Sequence, residues 1–152
     1  MAPAAETSYL LEHIASLLAK QSDQVLQEQL GIGLSQYKIL RALQAEPRTM
    51  QREIAANLGQ TEASISRQVK LMLADGLLQS QRNPKDHREH LTVVTSKGER
   101  LTEAAAVVLE RYHRPTFAAL NDKQQEQIAA VLRTLHSQLC AGTHFTADAA
   151  HK

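Results

Sequence analysis

The sequence predicts a mainly α-helical fold with one small β-hairpin, and three observations support this prediction. Apolar residues recur at helical spacing along most of the chain. Only the segment 77–94 combines the turn formers and β-branched residues of a hairpin. Aromatic residues make up 3% of the 152 residues and tryptophan is absent, so Leu, Ile, Val and Ala must build the core, which favours helices. A chain of this length has room for one domain.

The N-terminal part of the chain predicts two helices. Apolar residues between positions 10 and 30 follow the helical period and predict an amphipathic helix of about 20 residues. The segment Gly31-Ile32-Gly33 is expected to end this helix. Ser35 is the predicted N-cap of the second helix, which ends before Pro47 because the residue before a proline disfavours helical geometry.

Two shorter helices follow, separated by a tight turn. Thr49 is the predicted N-cap of the first, and Gly59 is expected to close it in the left-handed conformation. Thr61 is the predicted N-cap of the second, which ends at Asp75-Gly76. Two short helices joined by a tight glycine-containing turn form a helix-turn-helix unit.

The predicted hairpin comes directly after this unit. Its centre, residues 83–88, is rich in turn formers and charge. The return strand, Leu91-Thr92-Val93-Val94, is β-branched and partly alternating. A hairpin in this place predicts a winged helix-turn-helix, in which the hairpin is the wing.

Two further helices complete the predicted fold. Residues 95–98 open the first of them, and Pro115 is expected to kink or interrupt it. Asn121 or Asp122, each followed by a Gln three residues later, offers a capping box for the last helix. Amphipathic helices therefore flank the winged helix-turn-helix at both ends.

Charge and cysteine content narrow the possible functions. The formal net charge is +1, so any charge that binds nucleic acid must be local. The single cysteine, Cys140, excludes an internal disulfide framework and a cysteine-based zinc finger. No run approaches the roughly 18 apolar residues of a membrane span, and the N-terminus lacks the pattern of a signal peptide. We therefore expect a cytoplasmic protein with no membrane partner.

Motifs between residues 58 and 98 give the chain a family resemblance. Residues 58–69 combine a Leu-Gly pair, a Thr cap and a Ser-Arg pair, and Asp75-Gly76-Leu77-Leu78 leads into the hairpin. At the hairpin tip, Asp86-His87-Arg88 is followed by the return Val94-Thr95-Ser96-Lys97-Gly98. With these motifs and its flanking helices, the chain resembles the MarR (multiple-antibiotic-resistance regulator) family.

The resemblance implies a transcription regulator, commonly a repressor, that binds double-stranded DNA as a homodimer. A twofold dimer places two recognition helices about one DNA turn apart, so a near-palindromic operator is expected. The resemblance also implies one domain over residues 1–152. Its DNA-binding lobe covers about 35–98, and its dimerisation helices cover about 8–30 and 99–141.

Polar residues on the second short helix and the wing are the predicted DNA-binding residues. A recognition helix places its N-terminal turns in the major groove, where Arg67 can bind guanine and Gln68 can bind adenine. Glu62 is interpreted as structural, because a carboxylate repels phosphate. In the wing, the resemblance places Arg88 in the minor groove, and Asp86 is expected to orient it through a charge-assisted hydrogen bond. The predicted set is Thr61, Ser64, Ser66, Arg67, Gln68, Lys70, Arg82, Lys85, His87 and Arg88.

Members of the MarR family respond to small aromatic or phenolic anions, to oxidants or to metals. Candidate effector-binding residues are His13, Tyr37, Arg41 and Tyr112, although both tyrosines also fit a core role. Cys140 is interpreted as a small buried hydrophobe. The seven histidines lack a tight metal-ligand spacing, so neither a metal site nor a cofactor is predicted.

Other function classes have less support in the sequence. It contains no glycine-rich phosphate loop, nucleophile motif or paired catalytic constellation, so an enzyme is not predicted. A winged helix that contacts protein or single-stranded nucleic acid would expose an apolar or aromatic face, whereas residues 64–70 alternate polar side chains with the core stripe. The polar residues of the second short helix are also consistent with a solvated helix face that binds nothing, and those of the wing with an ordinary charged turn.

Overall fold

The computed structural model describes residues 2–141 and confirms the predicted fold class. Over these residues the chain forms six helices and one antiparallel two-stranded sheet. The elements are α1 (Pro3–Leu30), α2 (Leu34–Ala45), α3 (Gln51–Leu58), α4 (Glu62–Ala74), β1 (Leu78–Asn83), β2 (Asp86–Val94), α5 (Ser96–Phe117) and α6 (Asp122–Cys140). None of the described helices is long and apolar enough to cross a membrane.

Two helix starts and one helix end agree with the predicted caps, and α5 begins within the segment 95–98 that was predicted to open it. The Thr61 hydroxyl accepts the Ser64 N–H at 3.1 Å at the start of α4, and the Thr95 hydroxyl accepts the Gly98 N–H at 3.1 Å at the start of α5. At the start of α6, the Asn121 side chain accepts a backbone N–H, which selects Asn121 over Asp122. Gly59 closes α3 with a φ of 62°, in the left-handed region.

The prediction that Ser35 caps α2 is wrong. The N-cap is Gly33, whose N–H donates to the side-chain oxygen of Gln36 at 3.1 Å. The carboxylate of Asp23, on α1, accepts the Leu34 N–H at 2.9 Å. Because side chains from inside α2 and from α1 satisfy these donors, a hydroxyl cap is not needed, and Ser35 lies in the first turn.

The prediction that Thr49 caps α3 is also wrong, by one residue. The N-cap is Met50, whose N–H donates to the carboxylate of Glu53 at 2.8 Å. The Thr49 hydroxyl instead donates to the carbonyl oxygen of Glu46 at 2.7 Å, within the preceding turn. The Glu53 carboxylate also interacts favourably with the positive end of the α3 helix dipole.

The outer helices differ from their predicted limits. Helix α1 is 28 residues long and begins at Pro3 rather than near Leu10. Proline suits a first helical position because it has no N–H to leave unsatisfied there. Pro115 lies inside α5, which continues past it and ends at Phe117.

Two clusters of buried residues form the core. The larger one fills the helix-turn-helix and the base of the wing, and the smaller one joins α1, α2 and α5. Leu101 packs against both clusters, so α5 links the two parts. The larger cluster contains Ile39, Leu40, Leu43, Ile54, Ala55, Ile65, Val69, Met72, Leu77 and Leu78, and the smaller one contains Leu26, Ile32, Tyr37 and Ala105.

Candidate nucleic-acid interface

Helix α4 presents a polar face opposite its core stripe. Ile65, Val69 and Met72 are buried, which fixes the rotation of the helix about its axis. At 100° per residue, the opposite side carries Arg67 and Lys70, and both are exposed. Ser66, beside them, is half-buried. The structure therefore leaves these three predicted residues accessible to a major groove.

Two other predicted residues of α4 turn towards the protein. Ser64 and Gln68 are half-buried, and both donate to the side-chain oxygen of Gln60, at 3.1 and 2.9 Å. Gln60 lies in the turn between α3 and α4, and its amide nitrogen donates to the Ser35 hydroxyl at 2.7 Å. Gln60 was not among the residues predicted from the sequence, because only the fold brings it beside these partners.

The wing exposes the four predicted basic or imidazole side chains Arg82, Lys85, His87 and Arg88, and it also exposes His90, which was not predicted. Its tip is built by a buried asparagine. The Asn83 oxygen accepts the Lys85 N–H at 3.0 Å, and its amide donates to the Glu89 carboxylate at 2.6 Å. The strand register shifts between Arg82 and Asn83, so the tip departs from the regular ladder.

The contact of Asp86 differs from the prediction. Its carboxylate accepts the backbone N–H of Arg88 at 3.1 Å, whereas a hydrogen bond to the Arg88 guanidinium was expected. An Asp side chain in a turn reaches the N–H two residues later most easily. Asp86 therefore shapes the backbone under Arg88, while the Arg88 side chain is exposed.

Two arginines that the sequence analysis did not select adjoin this surface. Arg48 and Arg52 flank the start of α3 and line a cleft of about 450 Å³. The cleft also touches Glu62 on α4 and Glu89 and His90 on β2, so it separates the helix-turn-helix from the wing. The sequence signal was a pair of arginines around the first residue of the first short helix.

The four candidate effector residues fall into separate places in one chain. Tyr37 is buried in the smaller core cluster, and its hydroxyl accepts a hydrogen bond from Arg41 at 3.0 Å. His13 is exposed on α1, and its ring lies 5.8 Å from that of Tyr9. Tyr112 is exposed on α5 and meets the neighbouring His113 edge-on. Among the described contacts, only Tyr37 and Arg41 come together.

Cys140 is half-exposed, so the interpretation of a buried hydrophobe is wrong. Its sulfur lies 3.5 Å from Nε2 of His136, one helical turn earlier on α6. The exposure follows from the helix, because no residue of α6 is buried in a single chain. Within residues 2–141, no group of three or more His, Cys, Asp or Glu side chains is placed to hold a metal ion.

The region from α2 to the wing has a known family pattern. The sequence model of the MarR family matches residues 30–89, which include both helices of the helix-turn-helix and most of the hairpin. Solved MarR-family structures have the same fold over most of the chain. Residues 30–89 therefore match the MarR family, and the fold of the described residues is the one that MarR-family structures have.

Two relatives in sequence are described as HTH-type transcriptional regulators, a class that does not comprise enzymes. BilQ of Clostridium symbiosum, an HTH-type transcriptional regulator, is 28% identical over 105 residues, which cover 69% of this chain and 73% of BilQ. MepR of S. aureus, solved as a DNA complex, is 25% identical with a TM-score of 0.67, covering 88% of this chain and 97% of that one.

A third relative was solved with a small ligand. The MarR family protein Rv2887 of Mycobacterium tuberculosis, in complex with p-aminosalicylic acid, superposes with a TM-score of 0.75 at 21% identity. The match covers 86% of this chain and 98% of that protein. At this identity the likeness establishes the shared winged-helix fold.

Proposed function

We propose that the chain is a ligand-responsive repressor of the MarR family that binds a near-palindromic operator in the cytoplasm as a homodimer. Residues 1–152 form one domain, with the DNA-binding lobe at about 35–98 and dimerisation helices at about 8–30 and 99–141. One observation carries the proposal: the exposed side chains of Arg67 and Lys70 on α4 belong to the same lobe as the exposed cations of the wing.

The two elements have different tasks on DNA. Arg67 reads guanine in the major groove, where its guanidinium can bind O6 and N7 together. Arg88 enters the minor groove, whose negative potential attracts a guanidinium when the groove is narrow. Lys70, Lys85 and His87 contact phosphates, which add affinity and salt dependence without reading sequence.

Apolar surface on the outer helices supports the homodimer. The N-terminal half of α1 exposes five large apolar side chains, and α6 exposes five more. These are Tyr9, Leu10, Leu11, Ile14 and Leu17 on α1, and Ile128, Val131, Leu132, Leu135 and Leu139 on α6. A folded monomer rarely leaves apolar faces of this extent in water. A second copy of the chain would cover them.

A small aromatic or phenolic anion is the proposed effector. The p-aminosalicylic acid complex of Rv2887 supports this class of ligand. Arg41 is exposed beside the buried Tyr37, so a cation adjoins the core cluster that joins α1, α2 and α5. His13 and Tyr112 would belong to the same site if the second subunit brings them near. A ligand there would act by favouring one spacing of the two recognition helices.

The test measures binding of the wild type and of Arg88→Ala to the DNA upstream of the protein's own gene, across a salt series. Arg111→Ala is the matched control, because it removes an exposed cation from α5, roughly 22 Å along the helix from its start. We expect tight, salt-dependent binding that Arg88→Ala weakens by about 1–3 kcal/mol per subunit. The control should bind as the wild type does.

Two results would contradict the proposal at different levels. Equal losses for Arg88→Ala and Arg111→Ala would mean that binding responds to net charge and not to the wing. A wild type that binds the upstream DNA no better than a random duplex would exclude autoregulation. In that case, selection from a random duplex library decides between a distant operator and no sequence-specific binding.

A further inference from the structure

Gln60 joins the recognition helix to the start of α2 through a chain of side-chain hydrogen bonds. Its amide nitrogen donates to the Ser35 hydroxyl at 2.7 Å. Its amide oxygen accepts from the Ser64 hydroxyl at 3.1 Å and from the Gln68 amide at 2.9 Å. Ser35 lies on α2, Gln60 in the turn, and Ser64 in the first turn of α4. These hydrogen bonds therefore hold the N-terminal end of α4, which is the end that reads DNA, against α2.

This arrangement determines which groups Gln68 can offer to DNA. Besides the bond to Gln60, its amide nitrogen lies 3.4 Å from the carbonyl oxygen of Ser64 and 3.3 Å from the Ser64 hydroxyl. An amide nitrogen has two hydrogens, and acceptors of the protein face both. A glutamine reads adenine by donating to N7 while accepting from N6, so it needs a donor that Gln68 does not have free.

We propose that Gln60 is a specificity-determining positioning residue, which holds Gln68 on the protein and withholds it from base reading. The inference rests on the proposed DNA-binding function and revises the expectation that Gln68 reads adenine. Sequence in the major groove is then read by the exposed Arg67, with the half-buried Ser66 beside it. Removing the Gln60 side chain frees the Gln68 amide to reach the groove and adds a base preference that the wild type lacks.

The orientation of the Gln60 amide follows from its partners. Two donors, from Ser64 and Gln68, converge on one atom of the Gln60 side chain, and a carbonyl oxygen with two lone pairs accepts both. The other atom faces a hydroxyl, which can accept from an amide nitrogen or donate to an oxygen. A glutamate in this position therefore keeps every hydrogen bond, with the Ser35 hydroxyl donating to it.

The test selects binding sites from a random duplex library with the wild type, Gln60→Ala, Gln68→Ala and the double variant. We expect Gln68→Ala to select the wild-type motif, because Gln68 reads no base. Gln60→Ala should gain a preference for adenine of about fivefold or more at one position of each half-site, the lower end for a bidentate contact. The double variant should lose this preference, and Gln60→Glu should retain the wild-type motif.

A second measurement tests the same contact without DNA. Because Gln60 and Gln68 share a hydrogen bond, the unfolding midpoint of the double variant should shift by less than the sum of the two single shifts. A changed motif for Gln68→Ala, or additive shifts in the midpoint, would overturn the inference. If the wild type selects no motif while the shifts are non-additive, the proposed function fails and the positioning contact stands.

Discussion

At the scale of single residues, position 98 requires a glycine because the structure has no space there for a Cβ atom. An added Cβ would overlap the carbonyl oxygen of Leu77 and lie 2.7 Å from Cγ1 of Val94. Both groups belong to the base of the wing, so the first turn of α5 is packed against the hairpin. We expect Gly98→Ala to lower the free energy of unfolding by about 1–3 kcal/mol, as overpacking does. The neighbouring, exposed Glu99→Ala should change it by no more than about 0.5 kcal/mol.

Chemical denaturation of both variants checks this prediction. A Gly98→Ala variant as stable as Glu99→Ala would mean that the hairpin can move away from α5 at little cost. The two outcomes also differ at the base of the wing, because a displaced hairpin would lose amide protection at Thr95, whose N–H donates to the carbonyl oxygen of Leu77 at 3.0 Å. The sequence pattern pointed to this glycine through the family resemblance, but the reason for it required the packed structure.

Side-chain roles that depend only on neighbouring residues were predictable from the sequence, and roles that depend on other elements were not. Thr61 caps α4 through a rule that involves only neighbouring residues, so the sequence was sufficient to predict it, and the same rule limited the cap of α6 to Asn121 or Asp122. Ser35 was misassigned because a carboxylate on another helix satisfies the start of α2. Gln68 lies at the edge of the core stripe of α4, where the helical period alone does not decide between solvent and protein.

At the scale of elements, the tip of the wing depends on the buried Asn83. Its amide donates to the Glu89 carboxylate, so Asn83→Asp replaces a donor with a second negative charge. We expect this variant to lower amide protection in β1 and β2 at neutral pH, while α4 is unaffected. Because like charges raise the pKa of one of the two carboxyl groups, protonation should restore the hydrogen bond as the pH falls, and protection should recover.

Hydrogen exchange, expressed as protection factors at each pH, measures this effect. Gln79→Glu is the matched control, because it adds the same charge to the exposed side of β1. Its protection should not depend on pH in this way. Equal behaviour of the two variants would show that the wing tip responds to charge in general and not to the Asn83–Glu89 contact.

The order of the elements was predictable, but some of their limits were not. The change from a helical to an alternating pattern located the hairpin, because that pattern is local. The start of α1 at Pro3 was missed, since residues 3–9 contain few apolar side chains to mark a period. The cleft between α3, α4 and β2 was also missed, because it exists only where three elements meet.

At the scale of the whole molecule, α6 is the element that a single chain does not explain. Its described contacts with the rest of the chain are near its start, where the Gln125 amide donates to the carbonyl oxygens of Phe117 and Leu120. Beyond that point its apolar stripe is open, and Val131 and Leu139 are 60% and 77% exposed. A helix of this kind is stable in water mainly when a partner covers its apolar face.

The last prediction follows from this open stripe. Leu135→Asp places a charge in the middle of the proposed dimer surface, and burying an unpaired carboxylate there is strongly unfavourable. Ser137→Asp is the control, because two residues along a helix turn the same charge to the opposite side. Sedimentation equilibrium should give a dimer for the wild type and for Ser137→Asp, and a monomer with weaker operator binding for Leu135→Asp. A wild-type monomer would exclude the proposed homodimer and leave the spacing of the two recognition helices without a structural basis. A Leu135→Asp dimer of undiminished affinity would place the interface elsewhere than on the apolar stripe of α6.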